Sequence, residues 1–165
     1  DYNMILVHAI NVDKDLAWKL ADVMGELAKM VDAKEIISLE GVGSPNPESG
    51  RVFYYTTQDG KVSKKLDSVA KPLMEGIIVG VTGALLAKSV GVPVTALFAE
   101  ARSNLPDSKA AAEIIKALDA YTGLKVDPKP LYKQAEAFEE KLKGILQKSK
   151  DAEELHDEKK LSYVG

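Results

Sequence analysis

Residues 76–100 read GIIVGVTGALLAKSVGVPVTALFAE, and this run gives the strongest indication of the fold. Two apolar runs of strand length, Gly76–Gly80 and Val92–Ala99, flank a short helical segment, Ala84–Val90. Short apolar runs bounded by glycine and proline are typical of strands that are buried on both faces. The stretch therefore predicts buried strands that are joined through a helix, as in an α/β domain.

The N-terminal part of the chain predicts the same alternation. Met4–Ile10 (MILVHAI) has the length of a buried strand, Asp13 is a suitable helix N-cap, and Glu35–Leu39 (EIISL) reads as the next strand. A strand, a helix and a second strand in so short a segment predict a βαβ unit with parallel strands. The predicted helix has one apolar face at helical spacing, formed by Leu16, Leu20, Val23, Met24, Leu27 and Val31.

Turn and cap residues delimit the remaining elements. Glycines, prolines and serines at 41–50 predict a loop, and Arg51–Gln58 (RVFYYTTQ), which is rich in aromatic and β-branched residues, predicts a strand. Pro106 and Asp107 open a helix that Gly123 ends. The apolar face of that helix consists of Ala110, Ala111, Ile114, Leu118 and Tyr121.

These elements together predict a three-layer α/β/α sandwich with a mostly parallel sheet, plus a C-terminal helical extension. The expected organisation is an α/β core domain at residues 1–127, a C-terminal helix at 128–148 and a polar tail with an apolar tip at 149–165. The chain opens on Asp1 without a methionine and runs almost directly into a strand pattern. We therefore expect N-terminal residues of the core domain to be missing.

Composition narrows the class of protein. The net charge of −3 argues against a general nucleic-acid binder, which usually carries a basic surplus. The chain has no cysteine, which excludes disulfides and cysteine-ligated zinc and fits a reducing compartment. No apolar run reaches the roughly 18 residues that a membrane span needs. We expect a cytoplasmic protein without nucleic-acid or membrane partners.

The two histidines do not indicate catalysis. His8 lies inside the apolar run 4–10, where a hydrogen-bonded core histidine is the favoured interpretation. His156 lies among the acidic residues of the tail, where a solvated side chain is favoured. We find no metal-ligand spacing and no nucleophile with a base partner. The sequence predicts no enzyme, no catalytic residue, no metal and no cofactor.

A candidate ligand cleft lies where predicted strands end, at Gly41, Gly83 and Glu100. Ligands bind at the carboxyl ends of strands in open α/β sheets, and the turn Gly80–Gly83 precedes a helix whose backbone amides could bind an anion. The alternatives are a tight turn at the glycines and a surface ion pair at Glu100. Each alternative is favoured over a ligand site.

The C-terminal helix carries an apolar seam. Leu131, Ala135, Phe138, Leu142 and Ile145 follow a 4-3-4-3 spacing, which suits packing on the domain or against a neighbouring subunit. We expect Leu131, Phe138 and Leu142 to form a contact between subunits.

Residues 76–127 also carry a family resemblance. The run GIIVGVTGALLAKSVGVPVTALFAEA is followed by LPDSKAAAEIIKALDAYTGLKVD, and residues 1–43 agree more loosely. In order and spacing these motifs resemble the archaeal proteasome-assembly-chaperone family. The resemblance implies a sandwich of nucleoside-phosphorylase type, no catalysis, a homo-oligomer, and proteasome α subunits or a paralogous subunit as partners.

The resemblance also implies a role for the tail. Family members with a C-terminal tail dock on the proteasome α-ring through a hydrophobic–Tyr–any-residue terminus, whose carboxylate meets a lysine. Here the matching residues are Leu161, Tyr163, Val164 and Gly165, with Tyr163 third from the end where the pattern has it second. A polar stalk would hold this apolar tip away from the domain.

Three hypotheses follow from the sequence. The first is a homo-oligomeric protein-binding factor that displays C-terminal tails. The second is a small-molecule binder or hydrolase that uses the predicted strand ends. The third is a structural subunit that pairs with a paralogue.

Overall fold

The computed structural model describes residues 3–10, 12–44, 50–58, 60–88, 90–102, 107–142 and 144–145. Helices and strands alternate along most of this length, as the sequence predicts. In chain order the elements are α1 (Lys14–Met30), β1 (Ile36–Ser44), β2 (Val52–Thr56), α2 (Lys61–Asp67), β3 (Lys71–Pro72), α3 (Gly80–Ala87), β4 (Val94–Arg102), α4 (Ser108–Thr122) and α5 (129–142).

The strands form one sheet in the order β1-β4-β2-β3. β1 runs parallel to β4 along its whole length, from Ile36 beside Val94 to Ser44 beside Arg102. β2 is antiparallel to β4, and the short β3 is parallel to β2. Two of the three pairings among the described strands are therefore parallel, and the prediction of a mostly parallel sheet is confirmed.

Helices cover both faces of the sheet. Successive side chains of β4 point to opposite faces, and both sets are buried against helices. Leu97 and Ala99 point into a core formed with α2 and α4, which we call the α4 face. Val94 points the opposite way, into a core formed with α1 and α3, which we call the α3 face. The predicted three-layer sandwich is confirmed.

Helix α4 lies where its caps predict it. The Asp107 side chain accepts a hydrogen bond from the backbone N–H of Ala110 at 3.0 Å. At the other end Gly123 adopts a φ of +76°, which few residues other than glycine tolerate. Ala110, Ile114 and Tyr121 from the predicted face are buried.

Helix α1 lies in the expected place, but its predicted buried face is only partly correct, since Leu20, Met24 and Leu27 are no more than partly buried. The buried residues are the small ones, Ala17, Ala21, Gly25 and Ala28. Leu16, Val23 and Val31 are 45–54% exposed. The reason is close packing: a Cβ on Gly25 would lie only 2.9 Å from Val90, so the small-residue face is the one that can approach its neighbours.

Two predicted strands are wrong. Residues 3–10 form no strand, and the apolar side chains of 4–10 are exposed. Residues 76–79 form an exposed segment with Ile77 94% exposed, and the following helix begins at Gly80 rather than Ala84. An apolar run becomes a strand only when another strand pairs with it, and neither run has such a partner among the described strands. The predicted parallel pair of 4–10 with 35–39 is therefore absent.

β1 extends further than predicted. It continues through residues 41–44, in the region that glycine content assigns to a loop. The continuous register with β4 explains the extension, because ladder hydrogen bonds compensate for the poor strand propensity of glycine.

Candidate functional site

Glu100 lies in an ion pair rather than in an open cleft. Its carboxylate receives two hydrogen bonds from Arg51, from Nε and Nη2, both at 2.7 Å. The Glu100 side chain is 9% exposed and that of Arg51 is 35% exposed, and the guanidinium lies 5.9 Å from the centroid of the Phe53 ring. Such a bidentate pair is strong and directional. A ligand that binds Glu100 would have to displace Arg51.

Of the two glycines in the predicted cleft, Gly83 has a packing role and Gly41 lies on the other face of the sheet from Glu100. Gly41 is paired with Ala99 and Glu100 with Val42, so the two positions face opposite sides of the sheet. A Cβ on Gly83 would lie 2.5 Å from the carbonyl oxygen of Ile78. Gly83 therefore allows the segment before α3 to pack tightly on the helix. The structure does not bring Gly41 and Glu100 together on one face.

A hydrogen-bond network that sequence reasoning missed connects β1 to α4. Tyr121 donates its hydroxyl to both carboxylate oxygens of Glu35, at 3.0 and 3.1 Å, and Gln58 donates to one of them at 2.8 Å. Burial, reinforced by the Glu35 charge, raises the pKa of Tyr121 to about 12. The Lys65 ammonium lies 5.4 Å from the Tyr121 ring centroid.

This network borders a depression of about 480 Å³, lined by Glu35, Val62, Lys65, Tyr121 and Thr122. The Glu35 carboxylate already accepts hydrogen bonds from two other residues, and Tyr121 is held neutral. The arrangement stabilises the contact between the start of β1 and the end of α4. No sequence signal marks it, because the three hydrogen-bonded residues lie far apart in the chain.

Helix α5 is attached to α4 by a polar cluster. The Tyr132 hydroxyl donates to Glu113 at 2.6 Å, and Lys116 donates to the same carboxylate at 3.1 Å with its ammonium 4.9 Å from the Tyr132 ring centroid. Burial opposes ionisation of Glu113, but the hydrogen bonds from Tyr132 and Lys116 outweigh it and lower the pKa of this carboxyl. The cluster fixes the orientation of α5.

The apolar seam of α5 is partly covered by the chain itself. Ala135 is buried, whereas Leu131, Phe138 and Leu142 are each half-buried and Ile145 is exposed. The three half-buried residues keep apolar area that a second subunit could cover. Their role as a subunit contact remains a prediction.

His8 lies in segment 3–10, where its side chain is exposed and has no hydrogen-bond partner among the described residues, which differs from the hydrogen-bonded core histidine expected. His156 and the tail residues Leu161, Tyr163, Val164 and Gly165 lie outside the described residues. Within the described ranges there is no group of three metal-ligating side chains and no helix long and apolar enough to cross a membrane.

Exposed apolar side chains are numerous on one part of the chain. Helix α1 exposes Leu16, Trp18, Val23 and Met30, and segment 76–79 exposes Ile77 and Val79. Exposed apolar area of this kind is available for contact with other protein segments.

Comparison with known proteins identifies the family. A profile described as the PAC2 family matches residues 1–146. The chain belongs to the PAC2 family. The resemblance to proteasome-assembly chaperones that residues 76–127 indicate is thus confirmed, since solved structures of such homologues also match this PAC2 chain.

Two crystal structures of Pyrococcus furiosus PbaA, an archaeal homologue of proteasome-assembly chaperone, are similar to this PAC2 chain. The monoclinic form matches with 28% identity and a TM-score of 0.78, covering 92% of this chain and 65% of PbaA. The second structure matches with 30% identity and a TM-score of 0.70, covering 87% of this chain and 66% of PbaA. The chain thus spans just under two thirds of the length of PbaA.

A third structure supports the fold alone. Pyrococcus furiosus PbaB, an archaeal proteasome activator, matches with 24% identity and a TM-score of 0.70, covering 82% of this chain and 60% of PbaB. A search of curated proteins found no match.

Proposed function

We propose that this PAC2-family chain is a non-catalytic protein-binding factor that acts on proteasome subunits in the cytoplasm. The observation that carries the proposal is the family match over residues 1–146, together with 28% identity to PbaA over 92% of the chain. The geometry supports it, because Glu100, Glu35 and Glu113 are each engaged in internal hydrogen bonds. The exposed apolar side chains of α1 provide area for a protein partner.

The proposed assembly is a homo-oligomer whose subunits meet through Leu131, Phe138 and Leu142. These residues lie on α5 and are each half-buried, so part of their apolar surface is still exposed. Each subunit would present one tail, and several tails on one particle raise the apparent affinity for a symmetric ring by roughly 10²–10⁴ over a single tail. The tail tip, Leu161 to Gly165, would enter pockets of the proteasome α-ring.

The tail mechanism is tested by pull-down with 20S proteasome or isolated α subunits. We expect the intact chain to be retained and a chain lacking 161–165 to lose most of this binding. A full-length variant with Leu161→Ser, Tyr163→Ser and Val164→Ser controls for tail length and should fail in the same way. Equal retention of all three proteins would refute docking through the tail.

The oligomer is tested by multi-angle light scattering of the intact chain and of Leu142→Glu. We expect a multiple of the 17.8 kDa chain mass for the intact protein and a monomer for the variant. Lys141→Glu, at an exposed position on the same helix, is the matched control and should leave the mass unchanged. A monomeric intact chain would contradict the homo-oligomer.

A further inference from the structure

Helix α5 has little apolar attachment to the rest of the domain. Ala135 is the only buried residue among the described positions of α5, and Leu131, Phe138 and Leu142 are half-buried. The segment 123–128, which joins α5 to α4, forms neither helix nor strand. Local stability follows the amount of buried apolar contact, so a terminal helix packed this lightly opens more readily than the core. The position of α5 therefore depends on contacts that supplement its apolar packing.

The polar cluster of Glu113, Lys116 and Tyr132, which we call the α4–α5 cluster, provides such contacts. The Glu113 side chain is 19% exposed, and its carboxylate accepts hydrogen bonds from the Tyr132 hydroxyl at 2.6 Å and from the Lys116 ammonium at 3.1 Å. Hydrogen bonds to a charged, partly buried acceptor are stronger than those between neutral groups. Because Tyr132 lies in the first turn of α5, the cluster holds this turn against α4.

The α4–α5 cluster also fixes the rotation of α5 about its own axis. An α-helix turns by about 100° per residue, so Phe138 points about 120° away from Tyr132 around the helix. While Tyr132 is held on α4, Phe138 therefore stays at the edge of the contact, in agreement with its half-buried side chain. Leu131 and Leu142 lie at the same edge and are half-buried as well. The apolar seam is thus presented outward in one orientation.

We propose that Tyr132 is a positioning residue for the contact between subunits. Its hydrogen bond to Glu113 holds α5 in the orientation in which Leu131, Phe138 and Leu142 meet the neighbouring subunit. Holding a binding element in its bound orientation reduces the conformational entropy that association has to remove. This inference rests on the homo-oligomer proposed above. It adds that assembly depends on a hydrogen bond made within one subunit, outside the contact itself.

Light scattering over a dilution series of the full chain tests the effect on assembly. We expect Tyr132→Phe, which removes the hydroxyl and keeps the ring, to raise the dissociation constant of the oligomer about tenfold, the scale of one hydrogen bond to a charged group. Lys133→Ala, at the next and exposed position, is the matched control and should leave this constant unchanged. An unchanged constant for Tyr132→Phe would overturn the inference and leave the oligomer standing. An intact chain that is monomeric at every concentration would refute both.

A double-mutant cycle shows whether the hydroxyl acts through Glu113. We expect Glu113→Ala to weaken assembly, and Tyr132→Phe added to it to weaken assembly no further, because the acceptor is already absent. Fully additive effects on the dissociation constant would overturn the role of the Tyr132–Glu113 hydrogen bond.

A distance between α4 and α5 separates orientation from overall stability. The chain has no cysteine, so Lys109→Cys and Lys141→Cys, at exposed positions of the two helices, give specific sites for spin labels. The labelled chain is diluted into unlabelled chain so that each oligomer holds one labelled subunit. We expect one narrow distance distribution with Tyr132 and a clearly broader distribution with Tyr132→Phe. The same narrow distribution in both proteins would overturn the positioning role.

Discussion

At the scale of residues, the Arg51–Glu100 pair shows how burial determines the role of a charged side chain. Glu100 lies near the end of β4, where the sequence predicts a ligand contact or an ion pair. The structure shows the ion pair, because a carboxylate this deeply enclosed needs donors from the protein itself. Sequence could place Glu100 at a strand end, but it could not identify Arg51, which lies 49 residues away.

Removing Arg51 should therefore destabilise the fold. We expect Arg51→Ala to lower the free energy of unfolding by about 2–4 kcal/mol, because the buried Glu100 carboxylate loses both hydrogen bonds from the guanidinium. Lys34→Ala is the control: its pair with Asp32 is 86% and 92% exposed, and the change should cost less than about 0.5 kcal/mol. Urea unfolding measures both. Equally small losses of unfolding free energy in the two variants would show that the Arg51–Glu100 pair does not stabilise the fold.

The raised pKa of Tyr121 leads us to expect a loss of folding stability at high pH. Its pKa is about 12 in the folded protein and about 10 in the unfolded chain, so the unfolded state releases the proton first as the pH rises. The stabilisation is present below pH 10 and is lost between pH 10 and about 12, by about 2 kcal/mol. Tyr121→Phe should be less stable at pH 8 and should show a smaller decrease between pH 10 and 12. Parallel stability–pH curves for the two proteins would contradict this.

At the scale of elements, local signals predicted some elements well and others poorly. Helix α4 has an N-cap, an apolar face and a C-terminal glycine within its own sequence, and these suffice to define it. The runs 4–10 and 76–80 look equally strand-like, but whether a run joins a sheet depends on a partner strand that local sequence does not reveal. The buried face of α1 was predicted only in part for a related reason, since close packing around Gly25 favours small side chains at the most buried positions.

The turn into α3 offers a test at this scale. Gly83→Ala would place a Cβ 2.5 Å from the Ile78 carbonyl oxygen, so we expect a loss of about 1–3 kcal/mol in the free energy of unfolding. Gly144→Ala is the matched control in a helical segment, where nothing lies within 4 Å of the new Cβ. It should be neutral or stabilising by up to about 1 kcal/mol. Thermal or urea unfolding of both variants gives the comparison, and a neutral Gly83→Ala would contradict the packing role.

At the scale of the whole molecule, the layered architecture and the family were predictable from the sequence. The order of apolar runs and helices is enough to predict an α/β/α sandwich. The motifs at 76–127 are enough to predict the family. The candidate binding features were less predictable. The seam of α5 could be recognised by its spacing, but how much of it the chain itself covers depends on tertiary contacts such as Tyr132 with Glu113.

The proposed binding of this chain to proteasome subunits can be measured by sedimentation velocity, with the intact chain mixed with 20S proteasome. We expect part of the chain to sediment with the proteasome in a saturable, concentration-dependent manner. A chain that sediments only at its own rate, at concentrations well above those of the proteasome, would contradict the proposed function.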